Sequence, residues 1–300
     1  MPTTKEIKNR IRSVSDTQKI TNAMYLIASK KMRRAKENLD QTRPYFEAVS
    51  KEIKRVFRIN PEITSKYFYP PKDVPDQGGP RGFLVITADK GLAGAYNQNL
   101  IRKTREMVRK HGSGHDYFYV VGEFGRRFFD THGIPVEQSF LYTAQNPTIG
   151  RAREITTILL DRFEKDLERI YIVYTDMASM MNEEAKFERL LPFHRADFKS
   201  PTVEREIHHP FDFYPSLETV LDTIVPTYVT GYIYSALIDS FCSEQYARMS
   251  AMETASQNAG DLIRDLNSQY NHIRQGAITR EITEISAGAK AMQRIHGNDR

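Results

Sequence analysis

Three hundred residues with 40% hydrophobic content supply enough chain for a sizeable core, in one large domain or two modest ones. No apolar run approaches the roughly 18–20 residues of a membrane-spanning helix, and the single cysteine, Cys242, leaves neither an internal disulfide nor a multi-cysteine metal site. The formal charge of +5 is uneven: residues 1–60 carry 15 basic and 6 acidic groups, the other 240 carry 28 and 32, which points to an acidic partner along the first segment.

Residues 4–58 contain no glycine and one proline, Pro44. Steps of four and three pick out Ile7, Ile11, Val14, Gln18, Thr21, Tyr25, Ala28, Met32, Ala35, Leu39, Thr42, Phe46, Val49, Ile53 and Val56, most of them apolar. That period of 3.5 predicts a coiled-coil helix with left-handed supercoil, about 75–80 Å long and kinked or jointed at Pro44. An amphipathic pattern beginning this close to Met1 leaves no expectation of a signal peptide. Residues 60–81 hold Pro61, Pro70, Pro71, Pro75, Gly78, Gly79 and Pro80 and read as a linker.

Strands then alternate with helices. The pattern predicts strands at 82–87, 117–121, 136–140 and 170–175, helices at 96–110, 124–131 and 151–167, and an edge strand at 186–192. This is a small Rossmann-like α/β domain, 82–205, with a mostly parallel sheet.

The last segment, 206–300, starts a helix near Ser216, a suitable N-cap with Glu218 in the first turn. The same stepping runs through Leu217, Leu221, Ile224, Tyr228, Gly231, Ser235, Ile238, Cys242, Gln245, Met249, Met252, Ser256, Ala259, Ile263, Leu266, Tyr270, Ile273 and Ala277. Pro226 is expected to end a short helix and begin a long one. Gly231, Gly260, Gly276 and Gly288 each cost about 1 kcal/mol in a helix interior, which makes sense where another surface approaches closely. The first helix enters the α/β domain and the last leaves it, so the two are expected to pair antiparallel. With Val56 beside Pro226, Ile7 falls opposite residue 275 and the last helix overhangs by about 20 residues, or roughly 30 Å. The expected fold is α/β plus a long antiparallel coiled coil: a foot carrying a two-helix shaft with a single-helix tip.

The residues assemble no reaction. Gly91 and Gly94 follow a strand and open a helix, but they fit neither Gly-x₄-Gly-Lys-Ser/Thr nor Gly-x-Gly-x-x-Gly, and turn or packing roles suit them better. No His-Glu-x-x-His pattern holds a metal, and His208-His209 is the only adjacent histidine pair. Cys242 falls on a core position of the heptad. Asp89 and Asp176 follow strands, where loop capping accounts for them. The basic cluster around Lys30, Arg33 and Arg34 lacks the interleaved aromatics of a nucleic-acid surface. On these residues alone two alternatives stand: a nucleotide-dependent α/β enzyme with a dimerising coiled coil, and a basic coiled-coil scaffold that binds nucleic acid.

Two terminal segments carry a resemblance. Lys5-Glu6-Ile7-Lys8-Asn9-Arg10-Ile11-Arg12-Ser13-Val14, then Thr17-Gln18-Lys19-Ile20-Thr21-Asn22-Ala23-Met24, is similar to the N-terminal signature of gamma subunits of F-type ATP synthases. Ser243-Glu244-Gln245-Tyr246-Ala247-Arg248-Met249-Ser250-Ala251-Met252 and Tyr270-Asn271-His272-Ile273-Arg274-Gln275-Gly276-Ala277-Ile278-Thr279-Arg280-Glu281 resemble the family's C-terminal helix, and Asp89-Lys90-Gly91-Leu92-Ala93-Gly94 its central loop. The resemblance implies a non-catalytic rotor turning inside three alpha and three beta subunits, with its foot on a membrane c ring beside an epsilon subunit. It implies no cofactor, no nucleic acid and no small-molecule ligand, and a peripheral place on the cytoplasmic face of a bacterial plasma membrane. Carried over residue by residue, Arg274, Gln275 and Thr279 would meet a catching loop of beta, with Arg248 and Glu281 in the same network. Lys30, Arg33 and Arg34 would face beta's acidic lever, and Phe211, Phe213 and Tyr214 the c ring and epsilon. Tyr214 stands where the family usually has an acidic residue.

Overall fold

The structure is a computed structural model that describes residues 3–60, 62–69, 78–176, 185–194, 198, 214 and 216–297, with side chains as far as 290. The chain forms two units, Ala28–Met249 and a second composed of Met1–Ile27 with Ser250–Arg300.

The unit Ala28–Met249 is built on a four-stranded sheet in the order β2-β1-β3-β4. Strands β1 (Arg81–Ile86), β2 (Asp116–Val121) and β3 (Arg169–Thr175) are parallel, and β4 (Ala185–Leu191) lies antiparallel to β3 at the edge. Both faces are covered, which is why β1, β2 and β3 read as continuous apolar runs, whereas the edge strand β4 carries Lys186, Glu188 and Arg189. Phe83, Val85, Phe118, Val120, Tyr171 and Val173 pack on one face with Tyr96 and Leu100 of α2 (Tyr96–His111) and Phe129 of α3 (Glu123–Thr131). The alternate residues Leu84, Ile86, Tyr119, Val121, Ile170 and Ile172 face the other way, onto Ile155 and Leu159 of α4 (Ile149–Lys165). That second cluster also takes Ile53 and Val56 of α1 (Thr4–Ile59), and Val225, Ile233 and Leu237 of α5 (Leu217–Gly297).

Three expectations change. No strand forms at 136–140. The Glu137 amide donates to the Phe118 carbonyl at 2.9 Å and Phe140 is 1% exposed, so two anchoring contacts, not ladder pairing, account for the apolar pattern there. Helix α5 continues through Pro226, which therefore ends no short helix, and α1 likewise runs through Pro44 without a break. Long flanking stretches packed into one core outweigh the single hydrogen bond that each proline removes. Finally, 60–81 does more than connect: Ile63, Tyr67 and Phe68 are buried, and Tyr67 and Tyr69 exchange backbone hydrogen bonds with Phe193.

The pairing of α1 and α5 is antiparallel in each unit. Within Ala28–Met249, Phe46 rests on Gly231 while the Cys242 thiol reaches the Met32 carbonyl at 3.7 Å. Within the other unit, Gln18 Nε2 donates to the Ser256 carbonyl at 3.1 Å, the Ser256 hydroxyl donates to Asn22 Oδ1 at 2.7 Å, and Gly260 lies beside Gln18. Setting Val56 beside Pro226 would have put Gln18 opposite Arg264, so the observed register differs by roughly one to two turns. The cause is the start of α5: Ser216 caps it, accepting the Thr219 amide at 3.2 Å, and the helix begins at Leu217 instead of Pro226.

Candidate functional site

The half-buried and buried positions of α5 end at Ile273, and residues 274–290 are all exposed. Four of the sequence-derived site residues lie there. Arg274, Gln275, Thr279 and Glu281 are exposed helix positions, and the Thr279 hydroxyl donates to the Gln275 carbonyl at 2.9 Å. Between them rises a stripe that sequence reading missed: Ile278, Ile282 and Ile285, at 49, 61 and 67% exposure. Counted from Ala277, the last of the heptad positions, they lie roughly 80–140° round the helix and so off that seam. An exposed isoleucine stripe flanked by Arg274 and Gln275 offers a partner both apolar area and hydrogen-bonding groups.

Arg248 belongs to the other unit and is occupied within the chain. Its Nη2 sits 2.6 Å from Glu244 Oε1 and donates to the Gly91 carbonyl at 3.1 Å. The Arg248 and Glu244 side chains are 12% and 2% exposed. Burial pushes the Glu244 carboxyl above its ordinary value, and Arg248 opposes that rise. This pair fastens α5 to the loop after β1, a role visible in sequence only as the i, i+4 spacing of Glu244 and Arg248. In the same loop Gly94 takes φ 52, the turn role expected of it.

Asp89 is a loop staple. One carboxylate oxygen accepts the Glu123 amide at 3.0 Å; the other accepts the Ala144 and Gln145 amides at 3.1 and 3.2 Å and the Thr143 hydroxyl. Asp176 pairs with Lys186. Burial, reinforced by nearby Asp176, raises the Asp239 carboxyl to about 7. Cys242 is wholly buried, its thiol pushed up to about 12 by desolvation, which suits a core residue and not a nucleophile.

Lys30, Arg33 and Arg34 are exposed on α1, with Arg33 Nε 3.8 Å from Glu37. Tyr214 is 92% exposed; Phe211, Phe213 and the histidine pair 208–209 lie outside the described residues. No group of three or more His, Cys, Asp or Glu side chains among the described residues could hold a metal, and no described helix is long and apolar enough to cross a membrane.

Comparison with known proteins agrees along the chain. The family model described as ATP synthase matches residues 3–292. The ATP synthase gamma chain of Caldanaerobacter subterraneus subsp. tengcongensis is 42% identical over 295 residues, covering 95% of this chain and 98% of the relative. That of Staphylococcus carnosus is 36% identical over 296 residues, covering 98% and 100%. Among solved structures, the central stalk and c ring of the Tetrahymena thermophila mitochondrial ATP synthase matches with a TM-score of 0.58 at 22% identity, over 79% of this chain and 99% of that one. A Euglena gracilis mitochondrial ATP synthase chain matches with a TM-score of 0.56 at 17% identity, over 95% of each. Both structural likenesses concern the fold.

Proposed function

The chain belongs to the ATP synthase gamma-chain family, and we propose that it is the central-stalk rotor of an F-type ATP synthase, without catalysis of its own. Its paired terminal helices form the coiled-coil shaft, and the α/β unit forms the foot, seated on a membrane c ring beside an epsilon subunit at the cytoplasmic face of a bacterial plasma membrane. Three alpha and three beta subunits surround the shaft.

The observation that carries this reading is the stretch of α5 exposed over residues 274–290, with three isoleucines on one side. A lone helix with such a stripe is stable when something else encloses it. A helix pair without threefold symmetry shows a different face to each of three equivalent neighbours. Each neighbour therefore gains a different contact free energy, and that difference sets its nucleotide affinity. Turning the shaft permutes the three affinities. Arg274, Gln275 and Thr279 are the polar contacts in this scheme, with Glu281 beside them. Lys30, Arg33 and Arg34 supply exposed cations, whose screened and weak pairing suits a contact that must slide. Arg248 contributes by holding the Gly91 loop, from which it can bear on beta as part of the foot.

Affinity purification of the tagged chain from native membranes tests the proposal. The expected product is a stoichiometric complex with three copies each of two larger nucleotide-binding subunits, together with epsilon and the c ring. Recovery of the chain alone, or with nucleic acid, would refute it.

A further inference from the structure

A cleft of about 500 Å³ opens between α2 and α3 of the foot, on the sheet face opposite α4. One wall is α2, which presents Arg102, Arg105 and Arg109; the other is α3, which presents Phe124 and Phe128. The arginines recur at three and four residues, so they share one helix face and span about 10 Å along it. Helix α2 is strongly basic overall: Arg102, Lys103, Arg105, Arg109 and Lys110 stand against one acid, Glu106, which also lines the cleft. Arg105 and Arg109 make no ion pair with any described residue, and Arg102 donates only to the Asn99 side chain, at 3.1 Å. Both phenylalanines are half-buried and line the cleft; Phe128 also packs against the core and stacks on His132 at 3.9 Å between ring centroids.

Three cations on one wall, none in an ion pair with a described acid, outweigh the single charge of Glu106, repel one another and select an anion. Guanidinium groups bind phosphate oxygens in paired fashion and also lie well on flat rings. The aromatic wall offers a π-face to such a ring. Size decides the kind of occupant. A stable protein interface needs about 800 Å² from each partner, whereas a cleft of this volume falls in the range that holds one small ligand.

We propose that the α2–α3 cleft is a binding site for a nucleoside triphosphate, with its phosphates along Arg102, Arg105 and Arg109 and its base against Phe124 and Phe128. Glu106 is the one carboxylate lining the cleft, and no metal-ligand cluster of described residues accompanies it; a nucleotide held there is bound and not hydrolysed. The site is a sensor of nucleotide on the rotor itself, separate from the catalytic chemistry, and it departs from the sequence-based expectation of no small-molecule ligand.

Equilibrium dialysis of the purified full chain against ATP, inorganic triphosphate and adenosine, at low and moderate salt, tests the assignment. ATP is expected to bind, inorganic triphosphate to compete about tenfold more weakly, and adenosine alone to bind more weakly still. R105A and R109A should each weaken ATP about three- to tenfold, and F128A should weaken ATP while leaving inorganic triphosphate unchanged. E106Q should tighten ATP about threefold by removing the one opposing charge. Because that change acts in the opposite direction, a folding defect cannot imitate it. Absence of ATP binding at millimolar concentration, binding indifferent to R105A and R109A, or inorganic triphosphate binding as tightly as ATP would each overturn the proposal. Hydrolysis of ATP by the purified chain would instead refute the non-catalytic rotor reading, so the two failures are distinguishable.

Discussion

The seat of Phe46 on Gly231 can be tested by adding one methyl group. A Cβ at residue 231 would lie 2.1 Å from Phe46 Cδ1, 2.4 Å from Cγ and 2.7 Å from Cε1. All three are ring atoms, so the whole phenyl group must leave its place. Alanine is the better helix former by about 1 kcal/mol, which alone would stabilise α5. Against that stands overpacking, typically 1–3 kcal/mol, and more when an aromatic ring loses its contacts altogether. Taking about 2–4 kcal/mol for displacing the ring leaves Gly231→Ala less stable by about 1–3 kcal/mol. In a Phe46→Ala background the clashing atoms are gone and the propensity gain survives, so the same substitution should stabilise by up to about 1 kcal/mol. The sign therefore reverses, and a double-mutant cycle should report a coupling of roughly 2–4 kcal/mol. Urea denaturation followed by far-ultraviolet circular dichroism gives the four free energies. A Gly231→Ala protein more stable than the parent, or the same sign in both backgrounds, would show that this contact does not set the register of α1 on α5.

Replacing Arg274 and Gln275 together with Ala should lower ATP synthesis by the assembled complex several-fold while leaving the unfolding midpoint of the chain unchanged, since both side chains are exposed; unchanged synthesis and torque remove them from the contact with beta. Arg248→Ala leaves Glu244 buried without its cation, which should cost about 3–5 kcal/mol at neutral pH. That deficit should shrink from pH 8 towards pH 5 in thermal melts, because a carboxyl whose folded pKa is raised gains stability from protonation; a deficit independent of pH would refute the buried-charge account. Asp239 works in the same sense. Its folded value of about 7 exceeds the ordinary 3.8, so the folded state holds the proton more tightly and stability falls as pH rises between those values, then levels off. Asp239→Asn should flatten that slope and stabilise the chain at pH 8 by about 2–4 kcal/mol; an unaltered slope would refute the assignment.

The heptad reading of α1 located its buried side with unusual completeness. None of the fifteen positions from Ile7 to Val56 is exposed, although Gln18, Thr21 and Thr42 are polar. The period carried the information, because a helix face is fixed by spacing and a few polar members do not rotate it. The three parallel strands were legible for a related reason: with both faces covered, a run of consecutive apolar residues leaves few alternatives. Breaks were harder to read. Pro44 and Pro226 signal a helix end locally, yet each sits in a helix whose core contacts on both sides hold it together. The register was lost with the second of these, since it had been counted from Pro226. The 136–140 segment misled because Phe140 is buried without being paired. Arg248 illustrates the limit for sites: Glu244 is its neighbour one helical turn away, but Gly91, 157 residues away in sequence, is brought to it only by the fold.

What remains unexplained inside the chain is concentrated at one end of α5. Gly231 and Gly260 each meet a side chain of α1, Phe46 and Gln18, so their missing Cβ atoms are accounted for. Gly276 and Gly288 meet nothing within 4 Å. Each costs about 1 kcal/mol of helix propensity for no internal contact, and they bracket the exposed Ile278, Ile282 and Ile285. A soluble helix on its own would be better served by alanine at the two glycines and by polar residues at the three isoleucines. Close approach and apolar burial are the two things these five residues supply to a surrounding surface, and both are idle without one. The departures from good helix chemistry thus coincide with the stretch that carries Arg274, Gln275, Thr279 and Glu281. That coincidence is expected of a helix shaped by what encloses it, and a free coiled-coil scaffold gives no reason for it.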